Sequence, residues 1–207
     1  MRYRKIPDET IRRLPVYLRG VLHLSEEGME SVSSRKLGGL VGVPSWLIRK
    51  DFSYFGDFGT PGIGYGIKTL IKQINKILKL DVVHEAAVVG VGNVGSALLA
   101  YSGFGIYGFK ISAAFDADKR KVGKVRSGIK IEDVSMLRGV KRRGIRLGII
   151  AVPAEVAQQA ADEMVDAGII GILNFSPRYI MVPKKVKVIT IDIGMDLARL
   201  PYYLPCG

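Results

Sequence analysis

The chain has 207 residues, 48% hydrophobic and 24% charged, a balance that supports a packed core and excludes a disordered chain. A net charge of +12 and a pI near 9.8 point to a polyanionic partner. No apolar run approaches the roughly 18–20 residues that span a bilayer, and the basic N-terminus leads into no apolar signal core. A single cysteine, Cys206, excludes an internal disulfide and a cysteine metal site, so neither membrane nor metal is expected and a reducing cytoplasm is.

The positive charge is concentrated early. Residues 1–80 carry 14 Lys/Arg against 7 Asp/Glu, whereas residues 81–207 carry 17 against 12. The first 80 residues read as helices. Asp8 is the expected N-cap of a first helix with Ile11, Leu14, Tyr17, Leu18, Val21 and Leu22 on one face, and Pro15 predicts a kink or a late start. Ser33 or Ser34 caps a second helix through Val41, with Leu37 and Leu40 inward. Gly42-Val43-Pro44 turns the chain into a third helix, Ser45 to Phe55, anchored by Trp46, Leu47 and Phe52. Two short helices across such a turn match a helix-turn-helix. Gly56 to Gly66 holds five glycines and Pro61, which excludes helix and suits a tight hairpin, the wing of a winged helix. A helix from Ile67 to Leu80 then turns Leu70, Ile71, Ile74, Ile77 and Leu78 inward and leaves Lys68, Lys72, Lys76 and Lys79 exposed.

Strands and helices alternate from residue 85, which predicts a parallel sheet covered on both faces. The strand Ala86–Val89 runs into Gly90-x-Gly92-x-x-Gly95 and a helix, and the strand Ile111–Phe115 closes on Asp116, 21 residues past Gly95. In that setting the first glycine permits the turn, the second admits a pyrophosphate to the backbone, and the third lets helix and strand pack closely. Asp116 would take the two hydroxyls of an adenosine ribose and repel a 2′-phosphate, which favours NADH and NAD+ over their phosphorylated forms. Further strands are expected over 145–152, 169–175 and 186–192, and a helix over 154–167. The tail from Ile193 to Leu204 is apolar enough to require cover, from this chain or from a second copy.

The two halves together resemble the Rex family of bacterial redox-sensing transcriptional repressors. The likeness rests on Arg13-Leu14-Pro15-x-Tyr17, Ser33-Ser34-x-x-Leu37, Arg49-Lys50-Asp51-x-Ser53-Tyr54-Phe55-Gly56 and Pro61-Gly62-x-Gly64-Tyr65. It continues in Gly90-x-Gly92-Asn93-x-Gly95, Ala114-Phe115-Asp116, Ala151-Val152-Pro153-Ala154-Glu155 and Ile172-Leu173-Asn174-Phe175-x-Pro177. The resemblance implies an α/β chain in three parts: a winged-helix DNA-binding domain over 1–80, a Rossmann NAD(H)-binding domain over 81–192, and a dimerisation helix over 193–207 exchanged between protomers. It further implies a homodimer on a palindromic double-stranded DNA operator, released by NADH, at genes of fermentation or respiration. Gly194 and Pro201 depart from a long exchanged helix, which should start late or break before Pro201. Asn93 stands where some relatives carry Arg.

Arg49 and Lys50, about 100° apart on a helix, are the expected readers of bases and phosphates, with Ser33, Ser34, Ser45, Ser53, Tyr54, Gly62, Gly64 and Tyr65 as further DNA contacts. Because no Lys or Arg lies between Phe55 and Tyr65, wing contacts would fall to backbone N–H groups or Tyr65. The cofactor would meet Gly90, Gly92, Asn93, Val94, Gly95 and Asp116 at its adenosine and phosphates, and Tyr101, Ala151, Val152, Pro153, Asn174 and Phe175 toward the nicotinamide. Arg19 and Asp192 are the expected switch pair. Three rivals remain: an NAD-dependent oxidoreductase with a basic helical appendage, a CoA-binding domain, and an architectural DNA binder blind to nucleotides. The first lacks an acid/base group, since His23 sits in the first helix and His84 at the wrong end of a strand. No catalysis is expected. Asp116 argues against the second.

Overall fold

The computed structural model describes residues 6–60 and 62–204. Pro61, Cys206 and the basic Arg2, Arg4 and Lys5 lie outside them. The chain separates between Val82 and Val83 into two compact units.

The first unit begins with α1 (Asp8–Glu26), capped by Pro7, so that Asp8 lies one residue inside the helix rather than at its cap. Pro15 does not interrupt it. The proline ring stands on the exposed side, while Leu14, Tyr17, Leu18, Val21 and Leu24 are at most 2% exposed on the other. Five buried side chains outweigh the backbone bond that the proline forfeits. The strand β1 (Ser31–Val32) precedes α2 (Ser34–Val41), where the Ser33 hydroxyl accepts from the Lys36 N–H at 3.1 Å and caps the helix. After the turn at Gly42 comes α3 (Ser45–Ser53), two residues shorter than expected.

Three residues placed inward by periodicity are outside. Ile11 is 37% exposed, Leu40 45% and Trp46 57%, and Ile48, fully buried, anchors α3 with Phe52 instead. The strongest tie of α3 is polar. The Asp51 carboxylate, 1% exposed, receives the Arg13 guanidinium at 2.6 and 2.8 Å, the Tyr17 hydroxyl at 2.5 Å and the Thr10 hydroxyl at 2.9 Å, all from α1.

The expected hairpin is reduced to a bridge between Thr60 and Gly64. Beyond it β2 (Tyr65–Gly66) pairs antiparallel with β1, not with a neighbouring wing strand. Gly64 has φ +97°, and a Cβ there would lie 2.5 Å from the Val32 carbonyl oxygen, so this crossing requires glycine. The unit closes with α4 (Ile67–Leu78), which buries Ile67, Leu70 and Ile74 and ends two residues before the expected Leu80.

The second unit is a seven-stranded sheet. In chain order its members are β3 (His84–Val89), α5 (Asn93–Ala100), a 3₁₀ turn Ser102–Tyr107, β4 (Phe109–Asp116), β5 (Val125–Arg126), β6 (Ile129–Asp133), a 3₁₀ turn Val134–Gly139, β7 (Leu147–Ile150), a 3₁₀ turn Ala154–Val156, α6 (Ala157–Asp166), β8 (Gly171–Asn174) and β9 (Lys187–Thr190). The sheet order is β5-β6-β4-β3-β7-β8-β9, with every pair parallel except β5 on β6. Chain direction across the sheet therefore reverses between β3 and β7, where open sheets of this order bind ligands. Side chains alternate between the faces: Ala87, Val89, Ala113 and Phe115 pack with α6 residues such as Ala161 and Met164. Val88 and Ala114 pack with Leu99 of α5.

The tail differs from a single helix over 193–207. Helix α7 (Ile193–Leu197) begins at once, capped by the Asp192 carboxylate, which accepts from the Met195 N–H at 3.1 Å. It contains Gly194 and ends before Pro201, which lies in the first turn of a separate 3₁₀ segment over Leu200–Tyr203. Proline has no N–H to continue a helix but suits a first turn. Its apolar side chains have no cover within one chain: Ile193, Met195, Leu197, Leu200, Tyr202, Tyr203 and Leu204 are all more than half exposed.

Burial pushes the Asp51 carboxyl up, but its bonds from Arg13, Tyr17 and Thr10 prevail and hold it below the ordinary value. The contribution of a depressed carboxylate is complete above the unfolded value near pH 4 and is lost as pH falls through the folded one. Asp51→Ala, which strands Arg13 beside a buried void, should cost the first unit about 3 kcal/mol. Urea unfolding read through Trp46, the single tryptophan, should show this at pH 7, with the gap between variant and wild type closing below pH 4.

Candidate functional site

Two concave regions collect the expected site residues, one in each unit. In the first unit a groove of about 420 Å³ runs between α3, the start of α2 and the wing, lined by Ser33, Ser34, Arg49, Ser53, Gly62, Gly64 and Tyr65 among others. Arg49 is exposed and donates from Nη1 to the Ser34 Oγ at 2.9 Å, which holds the guanidinium over the groove. Lys50 is exposed beside it on the same helix. Ser33 is spent as the cap of α2, and the Ser53 hydroxyl donates to the Lys50 carbonyl at 2.7 Å. Tyr65 is 8% exposed, with its ring 5.2 Å edge-on to Phe52, so it supports the wing rather than projecting from it. Ser45 opens α3 and Tyr54 follows its end, each half-exposed; neither lines the groove.

In the second unit a cleft of about 330 Å³ opens at the carboxyl ends of β3, β4 and β7. Its floor is the glycine turn. A Cβ on Gly95 would stand 1.9 Å from the Gly90 carbonyl oxygen, and one on Gly90 2.5 Å from that of Ala151, whereas nothing lies within 4 Å of one on Gly92. Two glycines are thus needed by the fold. The third is needed by neither helix nor strand and leaves an open face toward the cleft. Gly92 also caps α5, so the first-turn N–H groups, including those of Asn93 and Val94, have no carbonyl within the helix. That cradle fits a pyrophosphate.

Across the cleft Asp116 is 7% exposed. One carboxylate oxygen accepts from the Val91 N–H at 2.8 Å and from Lys121 Nζ at 2.9 Å, and the other from the Asp118 N–H at 2.8 Å. Burial opposes the charge, but the Asp118 and Val91 N–H groups and the Lys121 ammonium hold the carboxyl below its usual range. Asp116 is therefore an ionised acceptor, as a ribose diol requires. Gly90, Gly92, Asp116, Ala151, Val152 and Pro153 all line this cleft. Chain order did not reveal Ala117, Lys121, Val134, Val156, Gln159, Ala160 and Glu163. Lys121 lies in a loop without periodicity, and the α6 residues face the cleft only because that helix packs over β3 and β4.

Other expected residues lie elsewhere. Asn174 is fully buried and its amide is spent internally, on Ser176, Arg178 and Thr190. It fastens the turn after β8 and offers a ligand nothing. Phe175 packs against the core on the α5 side of the sheet. Tyr101, just past α5, is 59% exposed and meets Phe104 edge-on at 5.1 Å. Arg19 is exposed on α1, and Asp192 caps α7. Among the described residues no group of three His, Cys, Asp or Glu could hold a metal ion, and no helix is long and apolar enough to cross a membrane.

Comparison with known proteins gives both units relatives. Residues 83–178 match the family described as CoA binding domain, and residues 5–53 the one described as "Putative DNA-binding protein N-terminus". The redox-sensing transcriptional repressor Rex of Roseiflexus sp. is 44% identical over 96% of this chain and 90% of its own length. That of Syntrophomonas wolfei is 43% identical over 99% and 98%. Among solved structures, RSP in complex with β-NAD+ and operator DNA superposes with a TM-score of 0.90 at 33% identity, over 97% of this chain and 93% of that one. RSP in complex with β-NADH gives 0.88 at 32%, over 97% and 94%.

The glycines make separable predictions. Gly95→Ala should destabilise the second unit, because neither Gly90 nor α5 can yield 1 Å or more. Gly92→Ala should melt like the wild type yet lose at least about tenfold in NADH affinity, its methyl standing where a pyrophosphate must approach. Thermal melts and NADH fluorescence titration check the two together.

Proposed function

The chain belongs to the Rex family of redox-sensing transcriptional repressors, and on that footing we propose that it binds a two-fold symmetric operator as a homodimer and lets go when NADH fills the cleft of its second unit. It is a regulator, not an enzyme, and a DNA-bound regulator of this kind acts in the cytoplasm. The observation that carries the reading is the pairing, in one chain, of the Gly90–Gly95 turn facing ionised Asp116 with a helix-turn-helix that presents Arg49 and Lys50.

On the DNA side, α3 is the recognition helix. Its inward residues Ile48, Asp51 and Phe52 are fixed, so Arg49 and Lys50 meet the major groove and its phosphates with little freedom to lose. Ser34 steers Arg49, and the backbone of Gly62 and Gly64 carries the wing's contacts. On the nucleotide side, Gly92 and the first turn of α5 receive the pyrophosphate, and Asp116 the adenosine ribose. Ala151, Val152 and Pro153 lead toward the nicotinamide, with Tyr101 and Phe175 as its further aromatic neighbours. The ring is cationic when oxidised and neutral when reduced. Apolar walls around it disfavour the cation, and a tenfold preference needs about 1.4 kcal/mol.

Coupling between the sites is assigned to Arg19 and Asp192, an exposed cation on α1 and an anion at the root of the apolar tail. The uncovered tail fits a homodimer in which each copy buries the other's last dozen residues. An ion pair between these two residues in one arrangement and not in the other would link nucleotide binding to operator release.

The reading is tested by titrating a labelled Rex-type operator duplex at fixed salt with the protein, then with NADH and separately with NAD+. Release by NADH and not by NAD+ is expected, and indifference to both would refute the sensor. Arg49→Ala should weaken operator binding about tenfold and lower the salt slope by about one. Asp192→Ala should keep NADH binding and lose NADH-induced release; unchanged release would remove the pair from the mechanism.

A further inference from the structure

The cleft beside Asp116 contains a second polar group that the glycine motif does not explain. Gln159 and Glu163 stand one turn apart on α6 and both line the cleft, as does Val134. The Gln159 Nε2 donates to the Glu163 Oε1 at 2.9 Å, which sets the orientation of the amide. Gln159 is exposed and Glu163 half-buried, so the carbonyl oxygen and second N–H of the amide, and the other Glu163 oxygen, are open to solvent at the mouth of the cleft. Nearby walls are apolar, formed by Val134, Val156 and Ala160.

This is the arrangement that a purine needs. Its faces pack against small aliphatic side chains, while its edge requires matching donors and acceptors. A carboxamide offers an acceptor beside a donor, the complement of the 6-amino group and adjacent ring nitrogen of adenine. Glu163 adds a negative charge that an amino group satisfies and that a carbonyl at the same position would oppose. Asp116 fixes the ribose of the same nucleoside in the same cleft, so the base next to it falls within reach of α6. Resting on the NAD(H) reading above, we propose that Gln159, oriented by Glu163, selects adenine and rejects bases that carry an oxygen at the 6-position.

The experiment compares, on the full-length protein, the affinities of NADH and of reduced nicotinamide hypoxanthine dinucleotide, both read by nicotinamide fluorescence. The two differ only at the 6-position, amino against oxo, and in the proton that N1 carries in the oxo base. NADH should bind at least about fivefold tighter, and Gln159→Ala and Glu163→Ala should each narrow the ratio to within about twofold by weakening NADH alone. Circular dichroism checks that the variants fold, and Glu163→Gln, which keeps the shape of the side chain, should narrow the ratio in part. Equal affinities in the wild type would overturn the assignment and leave the dinucleotide reading standing. Discrimination undiminished in every variant would place selection elsewhere and also overturn it. Failure of both dinucleotides to bind would overturn the NAD(H) reading, and the assignment with it.

Discussion

The Asp51 carboxylate is the point on which the DNA-binding unit turns. It sits on α3 beside the exposed Arg49 and Lys50 and among the residues that face the core, and it gathers Arg13, Tyr17 and Thr10 from three successive turns of α1. A buried carboxylate with four donated hydrogen bonds has a single low-energy position, which fixes both the rotation and the depth of the helix. An apolar contact tolerates sliding; a bidentate guanidinium does not. Arg49 and Lys50 point outward because Asp51 points inward.

The second unit uses close backbone approach in the same role. Gly95 lets α5 meet the Gly90 carbonyl, and Gly90 lets the turn pass Ala151. These approaches bring the start of α5 and the ends of β3 and β7 around one cleft. Asp116 then reaches across to the Val91 N–H, tying the second strand of the sheet to the turn after the first. The Asp116 carboxylate is therefore held in place by the fold, and Lys121 balances its charge.

Much of this was legible in order along the chain. The glycine spacing and the acid after β4 announced a nucleotide site, because a pyrophosphate cradle is local: it needs particular residues at fixed separations. The helix-turn-helix was legible for a similar reason, through its turn and its caps. Periodicity misjudged Ile11, Leu40 and Trp46, which are apolar but exposed, since a pattern identifies a face and not what covers it. It also missed β6, whose short Ile129–Asp133 run alternates apolar and charged residues and becomes a strand by pairing with β4 on one side and β5 on the other. Asn174 matched a family motif, yet its amide is spent inside the fold, a distinction that spacing does not carry.

The amino-acid sequence by itself determined the two-part organisation, the basic first part, the glycine-rich turn at Gly90–Gly95, the acid that closes β4 and the break in the tail before Pro201. Each depends on local backbone chemistry or on composition. Tertiary structure alone decided that Asp51 is an anchor and not a surface charge, that Tyr65 supports the wing from within, and that Lys121, Gln159 and Glu163 share a cleft with Asp116. Those outcomes depend on which elements pack together, and contacts between residues distant in the chain leave no period or spacing for the sequence to display.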